Sequence, residues 1–301
     1  MTHESVQRCG FVAVVGAPNA GKSTLVNALV GQKVAIVTPK AQTTRARLMG
    51  IAIEGDAQIL LVDTPGIFRP KRRLDRAMVA AAWSGAQGAD LVLLVVDAAR
   101  GVSTAVGELL DRLAGQSEPR ALVLNKIDLV KKESLLALAA ELDARASFER
   151  IFMVSATTGD GVADLKAALA ERVPAGPWHF PEDQVSDATD RMMAAEVTRE
   201  QLYRQLHEEL PYDSAIETET WEDRPDGSTM IRQLILVARD SQKAIVLGKG
   251  GARIRAIGEA ARQELAQMLG RKVHLFLHVK VVRDWAEGRD IYREIGLDWV
   301  E

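Results

Sequence analysis

Residues 16–23 read GAPNAGKS, set between an apolar run, Phe11-Val12-Ala13-Val14-Val15, and a helical pattern, Thr24-Leu25-Val26-Asn27-Ala28-Leu29-Val30. Few short stretches limit a fold more. A strand that ends in a glycine turn and restarts as a helix aims several backbone N–H groups at one point, and the helix adds its positive N-terminal end. A lysine and a hydroxyl residue at the first helical turn complete a polyphosphate cradle, in which Lys22 reaches the β/γ-phosphates and the Ser23 hydroxyl ligates Mg²⁺. Nucleotide contacts are expected from Ala17, Pro18, Asn19, Ala20, Gly21, Lys22, Ser23 and Thr24. The phosphate pattern itself makes no demand at Asn19, so an asparagine there needs its own explanation.

The chain around this loop alternates as such a loop requires. Apolar runs lie at 11–15, 48–53, 58–62, 91–96, 121–124 and 151–154, with helical patterns at 104–114, 133–146 and 161–172. Continuous apolar strands alternating with helices predict an α/β fold, a doubly wound, mostly parallel six-stranded sheet covered on both faces. Only Glu54-Gly55-Asp56-Ala57 separates the second and third runs, so that pair is expected as an antiparallel hairpin. Residues 174–181 hold three prolines in eight residues and read as a linker. Beyond it the predicted order is α-β-β-α-α-β: helix 188–209, strands 213–222 and 229–238, helices 242–247 and 252–269, strand 272–282. The expected divisions are a nucleotide-binding domain at 1–175, a linker at 176–187 and a second domain at 188–301.

The single cysteine, Cys9, excludes an intrachain disulfide and fits a reducing compartment. No apolar run approaches the ~20 residues of a membrane helix. The N-terminal MTHESVQRCG lacks the basic start and apolar core of a signal peptide. A cytoplasmic location is therefore expected, with any membrane contact peripheral.

Three further motifs follow strands. Asp63-Thr64-Pro65-Gly66 comes after QILLV; Asp63 stands where such enzymes hold Mg²⁺ through a carboxylate, and the Gly66 amide can sense the γ-phosphate. Asn125-Lys126-Ile127-Asp128 comes after ALVL and answers the question of the base. Guanine offers two adjacent donors, N1–H and the 2-amino group, which the Asp128 carboxylate accepts together. Adenine has an acceptor at N1 and would leave that carboxylate unpaired, a discrimination of about 10⁴-fold. Asn125 is expected to bond the O6/N7 side and nearby loop backbone, with the Lys126 stem over the base face and the N–H of Ser155-Ala156, after IFMV, at O6. Between loop and hairpin, Gln42-Thr43-Thr44-Arg45 offers a second hydroxyl to Mg²⁺, and Thr44 is favoured over Thr43.

With GAPNAGKS, DTPG, NKID and SA in this order and spacing, the chain resembles the translation-factor-related class of Ras-like GTPases. Adding KAQTTRAR at 40–47, FPED at 180–183 and the glycine loop at 248–251, it resembles the Era family. The resemblance implies hydrolysis of GTP to GDP, with Lys22, Thr44, Gly66 and Asn19 as the catalytic set and Ser23, Thr44 and Asp63 around Mg²⁺. Many Ras-like enzymes carry a glutamine after DxxG to orient water; here that residue is Ile67, which neither donates nor accepts. Slow turnover is expected, or a recruited helper. Related GTPases with asparagine at this loop position bind K⁺ beside the β/γ-phosphates, which makes Asn19 a candidate K⁺ ligand.

Gly248-Lys249-Gly250-Gly251 lies between two predicted helices and looks like the GxxG loop of a type II KH domain, which clamps a single-stranded RNA backbone. Charge agrees. From residue 181 onward 17 Lys/Arg face 23 Asp/Glu, yet within 239–283 ten basic residues, Lys249, Arg253 and Arg255 among them, face three acidic ones. RNA contacts are assigned to Gly248, Lys249, Gly250, Gly251, Arg253 and Arg255. The family implies a monomer acting on a single-stranded region of small-subunit ribosomal RNA, a role in assembly of the small ribosomal subunit, and loose association with the inner membrane. Two other classes stay open on the residues alone: a metabolic P-loop kinase, against which NKID argues, and an RNA-binding protein that ignores GTP. His274 and His278 share a strand face without further metal ligands, and Trp221, Trp285 and Trp299 read as packing residues.

Overall fold

The computed structural model describes residues 6–38, 40, 44–45, 48–66, 70, 72–206, 213–289, 292 and 297–300, without the side chains of 85–86. Thr43 and Ile67 lie outside the described residues. Contacts divide the chain into two units: Met1–Ala35 with Ala41–Asp187 and Val300–Glu301, and Ile36–Lys40 with Ala188–Trp299.

The first unit is built on six strands: β1 (Arg8–Gly16), β2 (Leu48–Glu54), β3 (Ala57–Asp63), β4 (Leu91–Asp97), β5 (Arg120–Asn125) and β6 (Arg150–Val154). They lie in the order β2-β3-β1-β4-β5-β6, and β2 alone runs antiparallel. Helices α1 (Lys22–Val30), α2 (Arg73–Ala86), α3 (Thr104–Ala114), α4 (Lys132–Ala146) and α5 (Val162–Arg172) cover the faces. Successive strand residues point to opposite sides. Val12, Val14, Leu93 and Leu61 pack with Leu25, Leu29, Leu165 and Leu169 on one face. Ala13, Val15, Leu94 and Leu122 pack with Trp83, Leu110, Leu113 and Leu142 on the other. Each such leucine removed from water contributes roughly 1.5–3 kcal/mol. Strand order reverses beside β1, between β3 and β4, and the crevice beyond the carboxyl ends there is where open α/β sheets bind ligands.

Two sequence expectations change. Helix α2 falls in a stretch from which no helix was predicted, although its buried Leu74, Ala77, Met78 and Ala82 recur at helical spacing. The proline-rich linker is not a free tether. Gln58, fully buried on β3, donates to Phe180 O at 2.8 Å and accepts from the N–H groups of His179 and Phe180 at 2.9 and 3.1 Å. Met49 N–H donates to the Asp187 carboxylate at 3.0 Å, and Ile51 N–H to Val185 O at 2.9 Å. Trp178 and Phe180 pack on Cys9, Met49, Ile51 and Leu60. Residues 176–187 thus belong to the first unit.

The second unit contains α6 (Asp190–Gln205), β7 (Ser214–Asp223), β8 (Thr229–Val237), α7 (Asp240–Leu247), α8 (Ala252–Met268) and β9 (Val273–Val281). Helix α6 ends before the predicted residue 209, and 207–212 lie outside the described residues. β7 and β8 are antiparallel, β8 and β9 parallel, joined through α7 and α8. Ile231, Ile235 and Val237 face Val197, Leu202, Val246, Ala261 and Leu265 of the helices. Among the described residues no helix is long and apolar enough to cross a membrane.

Candidate functional site

The loops after β1, β3, β4, β5 and β6 all leave the carboxyl ends of parallel strands. Gly21 opens α1 with φ +93°, and a Cβ there would overlap Asn125 Nδ2. Lys22 is buried, and its ammonium donates to the carbonyls of Gly16 and Ala17, both at 3.2 Å. Burial pushes its pKa down to about 8, against the pull of Asp63. Ser23 Oγ donates to Asp63 Oδ2 at 2.7 Å and lies 2.9 Å from Thr44 Oγ1, which donates to the same carboxylate oxygen at 3.1 Å. Asp63 Oδ1 is buried without a hydrogen bond. Burial raises the Asp63 pKa, opposed by Lys22 and by the Ser23 and Thr44 hydroxyls. Thr64 fixes the strand end by donating to Val14 O at 2.8 Å. Gly66 is buried beside the phosphate loop; a Cβ there would stand 3.0 Å from Pro18 Cα.

Two hydroxyls and one half-satisfied carboxylate make a hard, all-oxygen donor set that fits Mg²⁺. Among the described residues no group of three or more His, Cys, Asp or Glu is placed to hold a metal ion.

The guanine-side residues meet the phosphate loop. Asn125 Nδ2 donates to Ala20 O at 2.9 Å while its Oδ1 accepts from Ala156 N–H at 3.1 Å, so this side chain ties three loops together. These two bonds are the contacts with nearby loop backbone expected of Asn125. The expected O6 donors are also engaged: Ser155 N–H donates to Asp160 O at 2.9 Å, and Ala156 N–H to Asn125. Folding the loop after β6 uses both groups. Asp128 is exposed, and no hydrogen bond among the described residues engages its carboxylate. Asn19 and Lys126 are non-glycine residues with φ +65°. Asparagine tolerates that conformation better than most residues, which gives the loop a local reason for Asn19.

In the second unit, Gly248, Gly250 and Gly251 take φ +69°, +59° and +75°. A Cβ at Gly248 would approach Arg253 Cβ to 2.8 Å, whereas around Gly250 nothing lies within 4 Å. The loop therefore closes on α8 at one end and bares its backbone at the other. Arg253 donates to Ile245 O at 2.8 Å and Arg255 to Gly250 O at 2.9 Å. Assigned to RNA from the sequence, these two arginines brace the loop's own backbone here. Alongside lies a groove of about 450 Å³ lined by Arg255, Glu259, Arg262 and Phe276. His278 is exposed on β9 and His274 half-buried; Trp285 is buried, donating to Asp213 O at 3.2 Å.

Comparison with known proteins agrees with this architecture. Residues 11–126 match the family of 50S ribosome-binding GTPases, and residues 209–286 match the KH domain. The chain is 61% identical over 301 residues to GTPase Era of Erythrobacter litoralis, covering 99% of each chain. It is 58% identical to GTPase Era of a Bradyrhizobium strain, covering 98% of this chain and 96% of the relative. Among solved structures, it superposes at TM-score 0.91 and 37% identity, over 96% of this chain and 99% of the other, on Era in complex with MgGDPNP and nucleotides 1506–1542 of 16S ribosomal RNA. A variant of Aquifex aeolicus Era bound to GDP·AlF4⁻ gives 0.90 at 37%, with the same coverage.

Proposed function

This chain belongs to the Era family of GTPases, and we propose that it holds Mg²⁺–GTP across its strand-end loops, cleaves it with water to GDP and phosphate, and couples nucleotide state to the grip of its KH domain on single-stranded small-subunit ribosomal RNA. The observation that carries the nucleotide reading is the buried, unpartnered Asp63 Oδ1 beside the Ser23 and Thr44 hydroxyls and Lys22. Ser23, Thr44 and Asp63 would hold Mg²⁺, which would supply positive charge to the phosphates. Lys22 exchanges the Gly16 and Ala17 carbonyls for phosphate oxygens, a gain for an ammonium that burial has left poorly solvated. Asp63 orients both hydroxyls, and the exposed Asp128 is the acceptor for guanine N1–H and the 2-amino group. Lys22→Ala is expected to abolish binding of fluorescent GDP and GTP turnover together; retained turnover would defeat the reading.

Ile67 gives the attacking water no partner. We assign part of the missing charge stabilisation to K⁺ held through Asn19. Replacing NaCl by KCl should speed turnover, and Asn19→Ala should remove that gain. If both salts give equal rates, the left-handed backbone alone explains the asparagine.

The solved relative with 16S ribosomal RNA supports an RNA role for the second unit, as does the basic tract around its bared glycine loop. We extend the role to assembly of the small ribosomal subunit, in the cytoplasm and as a monomer. Peripheral contact with the inner membrane is carried by family resemblance alone, and sedimentation with anionic vesicles checks it.

A further inference from the structure

Asp97 ends β4 and pairs in register with Asn125 at the end of β5. In the sequence it is only the last residue of LVLLVVD, and no motif singles it out. Its carboxylate is buried, 8% of the residue remaining exposed, and its two oxygens do different things. Oδ1 accepts from Ala99 N–H at 3.0 Å and closes the turn after β4. Oδ2 accepts from the Lys126 ammonium at 2.6 Å. The same ammonium donates to the carbonyl of Asn19 at 2.7 Å. The Lys126 stem therefore crosses the phosphate loop, with Cε 3.8 Å from where a Gly21 Cβ would stand. Asn19 and Lys126 both sit at φ +65°, a conformation that side chains resist, and this one ammonium joins them. Arg100 is a lesser partner of the same oxygen, 3.7 Å away on a more exposed side chain.

We propose that Asp97 is a positioning residue for nucleotide binding. By neutralising Lys126 and fixing its head group, it locks the phosphate loop to the guanine loop, so that both ends of the nucleotide meet one preset surface. The proposal rests on the guanine-nucleotide reading above. A lysine on a four-carbon stem has many rotamers and a strongly hydrated head, and a short charge-assisted bond holds it in one of them. Without that bond the head group returns to water, the Asn19 carbonyl loses its donor, and the stem no longer lies fixed beside the base.

The test is dissociation of N-methylanthraniloyl-GDP from the full chain, followed by stopped-flow fluorescence, in a double-mutant cycle of Asp97→Asn and Lys126→Met. Asp97→Asn is expected to speed dissociation at least tenfold in the parent protein and less than twofold in the Lys126→Met background. The same factor in both backgrounds, or no effect in the parent, would mean that the carboxylate serves only its own turn, and would overturn the proposal. Should Asp97→Asn fail to fold, as read from the unfolding midpoint without nucleotide, Asp97→Ser takes its place in the same cycle. If the parent protein does not bind the GDP probe, the guanine-nucleotide reading itself fails.

Discussion

Lys22 and Asp128 mark the two ends of the nucleotide, and their surroundings differ in testable ways. Burial without phosphate holds Lys22 at about 8, and bound phosphates restore a higher value. Below that pH the empty site already carries the proton, so GDP affinity should be flat. Above it, binding must take up a proton, and affinity should fall by up to tenfold per pH unit. Isothermal titration in two buffers of different ionisation enthalpy checks this, with proton uptake appearing only above about pH 8. At the other end, Asp128→Asn replaces a double acceptor by an amide with one donor and one acceptor. Preference should move from guanine to xanthine nucleotides, read by competition with a fluorescent analogue. These residues stood out in the sequence because short spacing after a strand is a local signal. Asp97 did not, because its role depends on Lys126, which only the register of β4 with β5 brings near. The engagement of the Ser155 and Ala156 N–H groups in loop folding was hidden for the same reason.

The strands of the sheet were legible almost to their ends, since continuous apolar runs bounded by turns leave few alternatives. Helix α2 was missed, though its buried Leu74, Ala77, Met78 and Ala82 recur at helical spacing. The strapping of 176–187 along β2 and β3 was invisible: proline content says where a helix stops, and nothing about a glutamine some 120 residues earlier. Gln58 meets His179 N–H, Phe180 N–H and Phe180 O in a fully buried place. Gln58→Leu keeps the volume but strands those groups, at a cost of about 1–3 kcal/mol. Urea unfolding should show that loss, and chymotrypsin should cut at Trp178 and Phe180 faster than in the parent. An unchanged cleavage rate would mean that the apolar packing on Cys9, Met49, Ile51 and Leu60 suffices to hold the strap.

The two units divide the work of the molecule chemically. The first concentrates oxygens and one buried ammonium for a polyphosphate. The second is near neutral as a whole, with 18 Lys/Arg against 19 Asp/Glu, but carries net +7 within 239–283, around a glycine loop with open space at Gly250. Its surroundings leave room for a side chain at Gly250, and aspartate is among the few residues that bear a left-handed φ, so Gly250→Asp places a carboxylate where RNA phosphate should lie. Gly250→Asp should therefore weaken RNA binding at least tenfold and lower its salt dependence, while GTP turnover without RNA stays unchanged. Filter binding across a salt series, with a turnover assay alongside, checks both halves.

Coupling between GTP and RNA is the claim on which the functional account rests. The most direct measurement is the affinity of the full chain for a short single-stranded RNA from the 3′ region of the small-subunit ribosomal RNA. It is made at one salt concentration with a non-hydrolysable GTP analogue, with GDP, and with no nucleotide. The account predicts that affinity differs by about fivefold or more between the GTP-analogue and GDP states. Equal affinity in all three would contradict it, leaving a GTPase and an RNA-binding module that merely share a chain.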